Sequence, residues 1–376
     1  MAEAGTSPTF EDDPRFTRDL VGHEAAERTF LDAYLGGRLH HAWLITGPKG
    51  VGKATLAWRI AKFLCAEDAT EEADAGGLFG DALPKEPPQS LATDPENAVI
   101  QRILSGGHGG IRVIERTVNE KTGKMRTEIP IDDVRGLTSF FQQTSAEGGW
   151  RIAIIDAVDE LNTAASNALL KLLEEPPHKS ILLLVAHAPG RLLPTIRSRC
   201  RTLALRPLSA GEVANVLSIR CPDLDTVNLQ GLAALSEGAP GRAIALQAQG
   251  GMVLYETLSG MMAALPDLTM TAVHGLADTL AAAKNDADYR LFVTLTTGWL
   301  ERLVRFTASG VIGAEVVPGE TAAMQRLGTL AGVDRWLALW EKVGQQFARA
   351  DAVNLDRKQV ILSFFTSAMA VARGQG

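Results

Sequence analysis

The chain has 376 residues, 46% of them hydrophobic and 22% charged, with a formal net charge of −7. That length and balance call for two or three globular domains with full cores, and the acidity excludes a bulk field drawing the chain to nucleic acid or an anionic membrane. The three cysteines, Cys65, Cys200 and Cys221, form no C-x-x-C pair, so neither a disulfide framework nor a zinc site is expected from spacing.

Residues 1–13 are acidic, lack a basic-then-apolar leader pattern and read as a disordered tail. Leu20 to Leu39 predicts a helix that closes at Gly36-Gly37. Ala42 to Thr46 (A-W-L-I-T) predicts a short buried strand running straight into a glycine loop. Lys53 to Leu64 predicts an amphipathic helix with Leu56, Ile60, Phe63 and Leu64 on one side. Residues 66 to about 109 are acidic, rich in Gly and Pro and poorly periodic, the pattern of a flexible insert. Ile111 to Glu115 predicts a strand, and Ile131 to Thr144 a helix with Asp132 or Asp133 near its start, where the dipole favours acid. Arg151 to Asp156 predicts a buried strand ending in a carboxylate. Asn162 to Glu174 predicts a helix stopped by Pro176-Pro177. Ser180 to Ala186 predicts another buried strand and Arg201 to Leu205 one more. Alternation of strands and helices from 42 to 206 argues a parallel sheet covered on both faces. No apolar run is long enough to span a bilayer, the run at 181–186 included, so a cytoplasmic protein with no membrane contact is expected.

After Pro207 the strand signal ends. Residues 208–250 predict a small helical lid, with Ser209 capping a helix that begins near Gly211. Residues 251–376 predict a helical bundle. Residues 14–207 would then form one α/β domain.

The chemistry concentrates in four motifs. Residues 47–54, G-P-K-G-V-G-K-A, follow the phosphate-loop pattern G-x-x-x-x-G-K-[ST] except at the last position. Backbone N–H groups from Gly50 to Lys53, the turns at Gly47 and Gly52, and the Lys53 ammonium are suited to phosphate. Ala54 stands where a hydroxyl would hold magnesium. Thr55 is no substitute, because one residue along a helix turns a side chain by about 100°. The second motif, R-I-A-I-I-D-A-V-D-E-L at 151–161, ends a strand on Asp156, the place of a metal-shell carboxylate. The next position, where a water-polarising glutamate is needed, is Ala157. Asp159 and Glu160 lie out of register with that role and read as the solvated start of a helix. Two catalytic positions are therefore apolar, and each loss alone costs orders of magnitude in rate. The third motif, T-I-R-S-R-C at 195–200, reads either as a basic surface strip or as an arginine, Arg199, presented to a neighbour's γ-phosphate. The fourth, G-A-P-G-R-A at 238–243, places Arg242 as a nucleotide sensor or a structural residue with equal weight. The histidines form no metal-ligating grouping.

Taken together, G-P-K-G-V-G-K at 47–53, A-S-N-A-L-L-K-L-L-E-E-P-P at 165–177 and R-S-R-C at 197–200 resemble the bacterial clamp-loader AAA+ family, the gamma/tau and delta-prime subunits of DNA polymerase III. The resemblance covers roughly residues 14 to 250, with N-L-D-R-K-Q-V-I-L at 354–362 similar to the family's last collar helix. It implies an α/β AAA+ module, a small helical lid and a C-terminal all-α collar that holds a hetero-pentamer of gamma/tau and delta subunits around primed DNA and a sliding clamp. It implies that Ser198, Arg199 and Cys200 form the S-R-C element, with Arg199 acting in trans, and that Gly241 and Arg242 fall in the sensor-2 region. The two vacant positions are similar to the delta-prime type, which does not hydrolyse ATP. Gly47, Gly50, Gly52, Lys53, Asp156 and Arg242 would then be a degenerate nucleotide set for which ATP or ADP is not required. The alternative is a gamma/tau-like motor that uses a displaced hydroxyl with Asp159 or Glu160. Relatives with a four-cysteine zinc module carry it between the glycine loop and the second motif. Only Cys65 falls there in this chain, so no zinc is expected.

Overall fold

A computed structural model describes residues 13–75, 87–119, 123, 125–142, 149–282, 286–311, 313–353 and 355–375. Two compact units divide the chain, one up to Leu208 and one from Ser209 onward.

The first unit runs α1 (Glu24–Leu35), β1 (Ala42–Thr46), α2 (Lys53–Ala75), α3 (Ala98–Leu104), β2 (Ile111–Glu115), α4 (Ile131–Gln142), β3 (Arg151–Asp156), α5 (Thr163–Glu174), β4 (Ser180–Ala186), α6 (Pro194–Arg197) and β5 (Arg201–Ala204). Every strand pair is parallel, in the order β2-β3-β4-β1-β5. β4 lies at the centre and is buried along its whole length, which is why it reads as an unbroken apolar run rather than an alternating one. Successive strand residues feed opposite faces. Trp43, Ile45, Ile152, Ile154, Leu183 and Val185 join Phe30, Leu56, Ile60 and Phe63 from α1 and α2 in one layer. Leu44, Ala153, Ile155, Leu182 and Leu184 join Val134, Leu137, Leu169 and Leu173 from α4 and α5 in the other. Register pairs Asp156 with Val185 and Thr46 with Ala186, so the ends of β3, β4 and β1 come level at the carboxyl edge of the sheet. That edge is where open parallel sheets place ligands.

Several boundaries differ from those expected. α1 starts at Glu24 rather than Leu20, because Gly22 takes φ 75°, incompatible with a helix interior. α2 continues to Ala75, through A-E-D-A-T-E-E-A, whose residues are mostly good helix formers. α3 also lies inside the stretch read as flexible. The Asn97 side chain accepts from the Val99 N–H, and Ile100 and Ile103 are buried beside α2. The expected insert is thus ordered at both ends, while residues 76–86 lie outside the described residues, as do 1–12 of the expected tail and the Thr144 end of the fourth helix. β5 ends one residue early, at Ala204.

Among its described residues the second unit is built from helices: α7 (Ala210–Arg220), α8 (Thr226–Leu235), α9 (Pro240–Ala248), α10 (Gly251–Ala263), α11 (Met270–Ala281), α12 (Asp286–Ser309), α13 (Glu320–Leu330), α14 (Val333–Val353) and α15 (Arg357–Ala372). Ser209 and Glu212 form a reciprocal capping box at the start of α7. α10 packs against both α8 and α9, so the segments expected as lid and collar share one compact unit. Glu320, 1% exposed, is the polar anchor of this unit. It accepts from the Tyr255 hydroxyl, from Arg302 Nη2 at 3.0 Å and from the Val316 N–H at 2.9 Å. Among the described residues no helix is long and apolar enough to cross a membrane.

Candidate functional site

The glycine loop connects β1 to α2, and its shape is dictated by close neighbours. At Gly47, with φ 145°, a Cβ would lie 2.6 Å from the Leu205 carbonyl oxygen. At Gly52, with φ 112°, it would lie 2.7 Å from Leu20 Cδ1. Gly50 takes φ 83°. All three adopt a backbone region costly to side chains, and at Gly47 and Gly52 there is no room for one. His23 steadies the loop from the start of α1, its Nε2 lying 2.9 Å from the Val51 carbonyl.

Lys53 opens α2 and is 3% exposed. Its Nζ donates to the carbonyls of Gly47 and Pro48, both at 2.7 Å. Burial lowers its pKa to about 8, against the opposing pull of the Asp156 and Asp159 carboxylates. Asp156, at the end of β3, is pushed the other way. Burial raises its pKa to about 6, with Lys53 opposing and Glu115 and Glu160 adding to the rise. His187, just beyond β4, brings Nε2 within 4.0 Å of Asp156 Oδ1. Burial, then the Lys53 charge, lowers its pKa to about 4, so near neutral pH it faces the carboxylate uncharged. Its Nδ1 is buried without a hydrogen-bond partner among the described residues.

The two alanines flank this cluster in the chain. Ala54 occupies the second position of α2 and Ala157 is 1% exposed. Asp159 and Glu160 are not the solvated residues expected. Asp159 accepts from the His187 N–H at 2.8 Å and the Ala188 N–H at 2.9 Å, bracing the turn after β4. Glu160 pairs with Arg116 at 2.7 Å. Both carboxylates are therefore engaged, Asp159 in holding backbone and Glu160 in holding a side chain. Among the described residues no three His, Cys, Asp or Glu side chains converge as a metal site.

The S-R-C element follows α6. Ile196 is fully buried, and Cys200 packs against the core layer of α4 and α5, its burial pushing the thiol up to about 12. Ser198 is exposed and its hydroxyl donates to the Thr195 carbonyl at 3.1 Å. Arg199 Nη1 donates to the Thr195 carbonyl at 3.1 Å, and Nη2 lies 2.9 Å from Glu174 Oε1. Arg242 lies in the second unit, in the first turn of α9, where it pairs with Glu237 at 2.8 Å. The structure thus brings Gly47, Gly50, Gly52, Lys53 and Asp156 together at the sheet edge. It adds His187, which no motif marks, because only the adjacency of β3 and β4 places it there. It likewise adds Glu174 as the partner of Arg199.

The sequence profile of the family described as "DNA polymerase III, delta subunit" matches residues 22–209. DNA polymerase III subunit delta′ of Pseudomonas aeruginosa is 31% identical over 332 residues, 87% of this chain and 92% of that one. The Bacillus subtilis subunit delta′ is 33% identical over 181 residues, 48% of this chain and 46% of that one. A gamma/tau subunit of Mycobacterium tuberculosis is 29% identical over 210 residues, 55% of this chain and only 32% of that longer protein. On this sequence similarity, which for the Pseudomonas subunit runs nearly end to end, the chain belongs to the delta′ family of DNA polymerase III clamp-loader subunits, with its α/β unit their AAA+ module.

Proposed function

We propose that this clamp-loader subunit does not hydrolyse ATP itself and instead supplies Arg199 to the ATP site of a neighbouring subunit. The observation that carries the reading is the pairing of two apolar residues, Ala54 and Ala157, with an arginine held at the surface of the same unit. Without a hydroxyl for magnesium and a base for water, the cradle lacks the parts that create and direct the nucleophile. Lys53 already satisfies two loop carbonyls, which supports a loop that keeps its shape without nucleotide. A guanidinium with unused donors is the group suited to developing charge on a γ-phosphate. In this reading the partners are gamma/tau and delta-type subunits in a hetero-pentamer. Sliding clamp and primed DNA are engaged through the complex, in the cytoplasm, and residues 251–376 act as the collar. Neither zinc nor bound nucleotide is required.

The test has two arms. The purified chain, given magnesium, ATP and primed DNA, is expected to show no turnover. A loader reconstituted with the Arg199→Ala subunit is expected to lose most of its DNA-stimulated ATPase. Turnover by the isolated chain that disappears in Lys53→Ala would instead establish a gamma/tau-like motor, and an unaffected R199A loader would remove Arg199 from the mechanism.

A further inference from the structure

We propose that Glu174 is a positioning residue for Arg199: the last carboxylate of α5 holds the guanidinium in the orientation from which it reaches a neighbour's phosphate. The proposal rests on the reading of Arg199 as an in-trans group and adds to it the residue that organises it.

Each terminal nitrogen of Arg199 has a fixed partner, Nη2 on Glu174 Oε1 at 2.9 Å and Nη1 on the Thr195 carbonyl at 3.1 Å. Together they define the plane of the guanidinium. Neither contact uses the second hydrogen on each terminal nitrogen or the Nε–H, so donors remain for an incoming anion. The side chain of Arg199 is 36% exposed and that of Glu174 is 51% exposed, so the pair lies at the surface rather than sealed in the core. An ordinary exposed ion pair contributes little to folding. This one differs in how firmly both ends are mounted.

Thr195 sits in α6, whose Ile196 is fully buried, and Cys200 anchors the chain on the other side of Arg199. Glu174 follows the buried Leu172 and Leu173, and Pro176-Pro177 lie just beyond the helix end. A carboxylate in the last turn stands at the negative end of the helix dipole, where acid is unfavourable unless a cation lies beside it. Arg199 is that cation. An arginine left unrestrained would have to lose its rotamer freedom at the moment it met the phosphate. One already fixed by its own subunit brings its donors into the transition state preorganised.

The test uses the complete loader, reconstituted from the full-length chain and its gamma/tau and delta-type partners, with ATPase measured on primed DNA. Releasing a rotamer-rich side chain predicts a fall in kcat of about tenfold for Glu174→Ala, with KM for ATP unchanged because the interaction serves the transition state. Glu174→Asp should recover part of the loss. In an Arg199→Ala background, E174A should have no further effect. Normal co-elution of the E174A subunit with its partners checks assembly, and should that variant fail to assemble, E174Q, which keeps size and an acceptor oxygen, replaces it. If R199A cripples the loader while E174A (or E174Q) leaves kcat unchanged, the positioning role is overturned and the in-trans arginine stands. A further fall when E174A is added to R199A overturns it too, since Glu174 then acts by another route. If R199A itself has no effect, the reading beneath the proposal fails with it.

Discussion

Asp156 offers a quantitative check on the electrostatics of the cradle. Its pKa rises from 3.8 to about 6, chiefly through burial, even with Lys53 pulling it down. The folded chain therefore holds this proton to higher pH than the unfolded chain does. Stability contributed by the protonated carboxyl is complete below the unfolded pKa near 4. It is lost progressively as pH rises to about 6 and is absent above that. A rise of this size corresponds to about 3 kcal/mol at most. Asparagine keeps the shape of the protonated acid and cannot ionise. Asp156→Asn is therefore expected to match the native chain near pH 4. At pH 5 it should be more stable by about 1.5 kcal/mol, and at pH 7.5 by up to about 3 kcal/mol. The measurement is urea unfolding at those pH values, followed by hydrogen exchange in peptides covering β1 and β3, which isolates the first unit from the second. A variant less stable than the native chain at pH 7.5 would refute the reasoning, because attraction to Lys53 would then outweigh the desolvation of Asp156.

Further outcomes are expected elsewhere in the chain. Gly47→Ala, which drives a Cβ to 2.6 Å from the Leu205 carbonyl at φ 145°, should destabilise the first unit by about 2–4 kcal/mol in denaturant titration. Gly136→Ala, in open space on α4, should stabilise it by roughly 0.5–1 kcal/mol in the same titration. Glu320→Ala leaves Arg302 without its buried carboxylate and should cost the second unit about 3–5 kcal/mol, seen as early hydrogen exchange in α10, α12 and α13. Burial raises the thiols of Cys65 and Cys200 to about 12. Iodoacetamide at pH 8 should consequently label Cys65 and Cys200 slowly in the native chain and rapidly in urea.

The phosphate-loop context is legible in the sequence because a continuous apolar strand, three turn-forming glycines and an amphipathic helix follow one another without interruption. The apolar residues at 54 and 157 are legible for the same reason: each has a fixed place relative to a strand end or a lysine. What depends on the order of strands is not. Asp156 and His187 are 31 positions apart in the chain, and nothing local says that β3 lies beside β4. Glu174 and Arg199 likewise meet only because α5 and α6 pack against each other. Asp159 reads as solvated because its two oxygens accept from backbone N–H groups of a distant turn, a use that leaves no mark on side-chain pattern. The helical part of the expected insert escapes for a different reason. An acidic, alanine-rich stretch carries helix propensity without amphipathic periodicity, and only packing shows which property prevails.

The two bonds from Lys53 to the carbonyls of Gly47 and Pro48 bear on how the subunit responds to its surroundings. A ligand stabilises a fold by mass action only to the extent that it binds the folded form, as RT ln(1 + [L]/Kd). A phosphate entering this cradle finds two of the three Lys53 ammonium hydrogens already on acceptors, and one that must draw either of them away from its carbonyl binds with a raised Kd. Where Kd exceeds the prevailing nucleotide concentration, the logarithm stays near zero. The folded population of the first unit is then set by the chain alone, and swings in ATP and ADP leave its shape and lifetime unaltered. On the proposed reading, such a part would act as a constant rather than a variable in an assembly timed by nucleotide turnover.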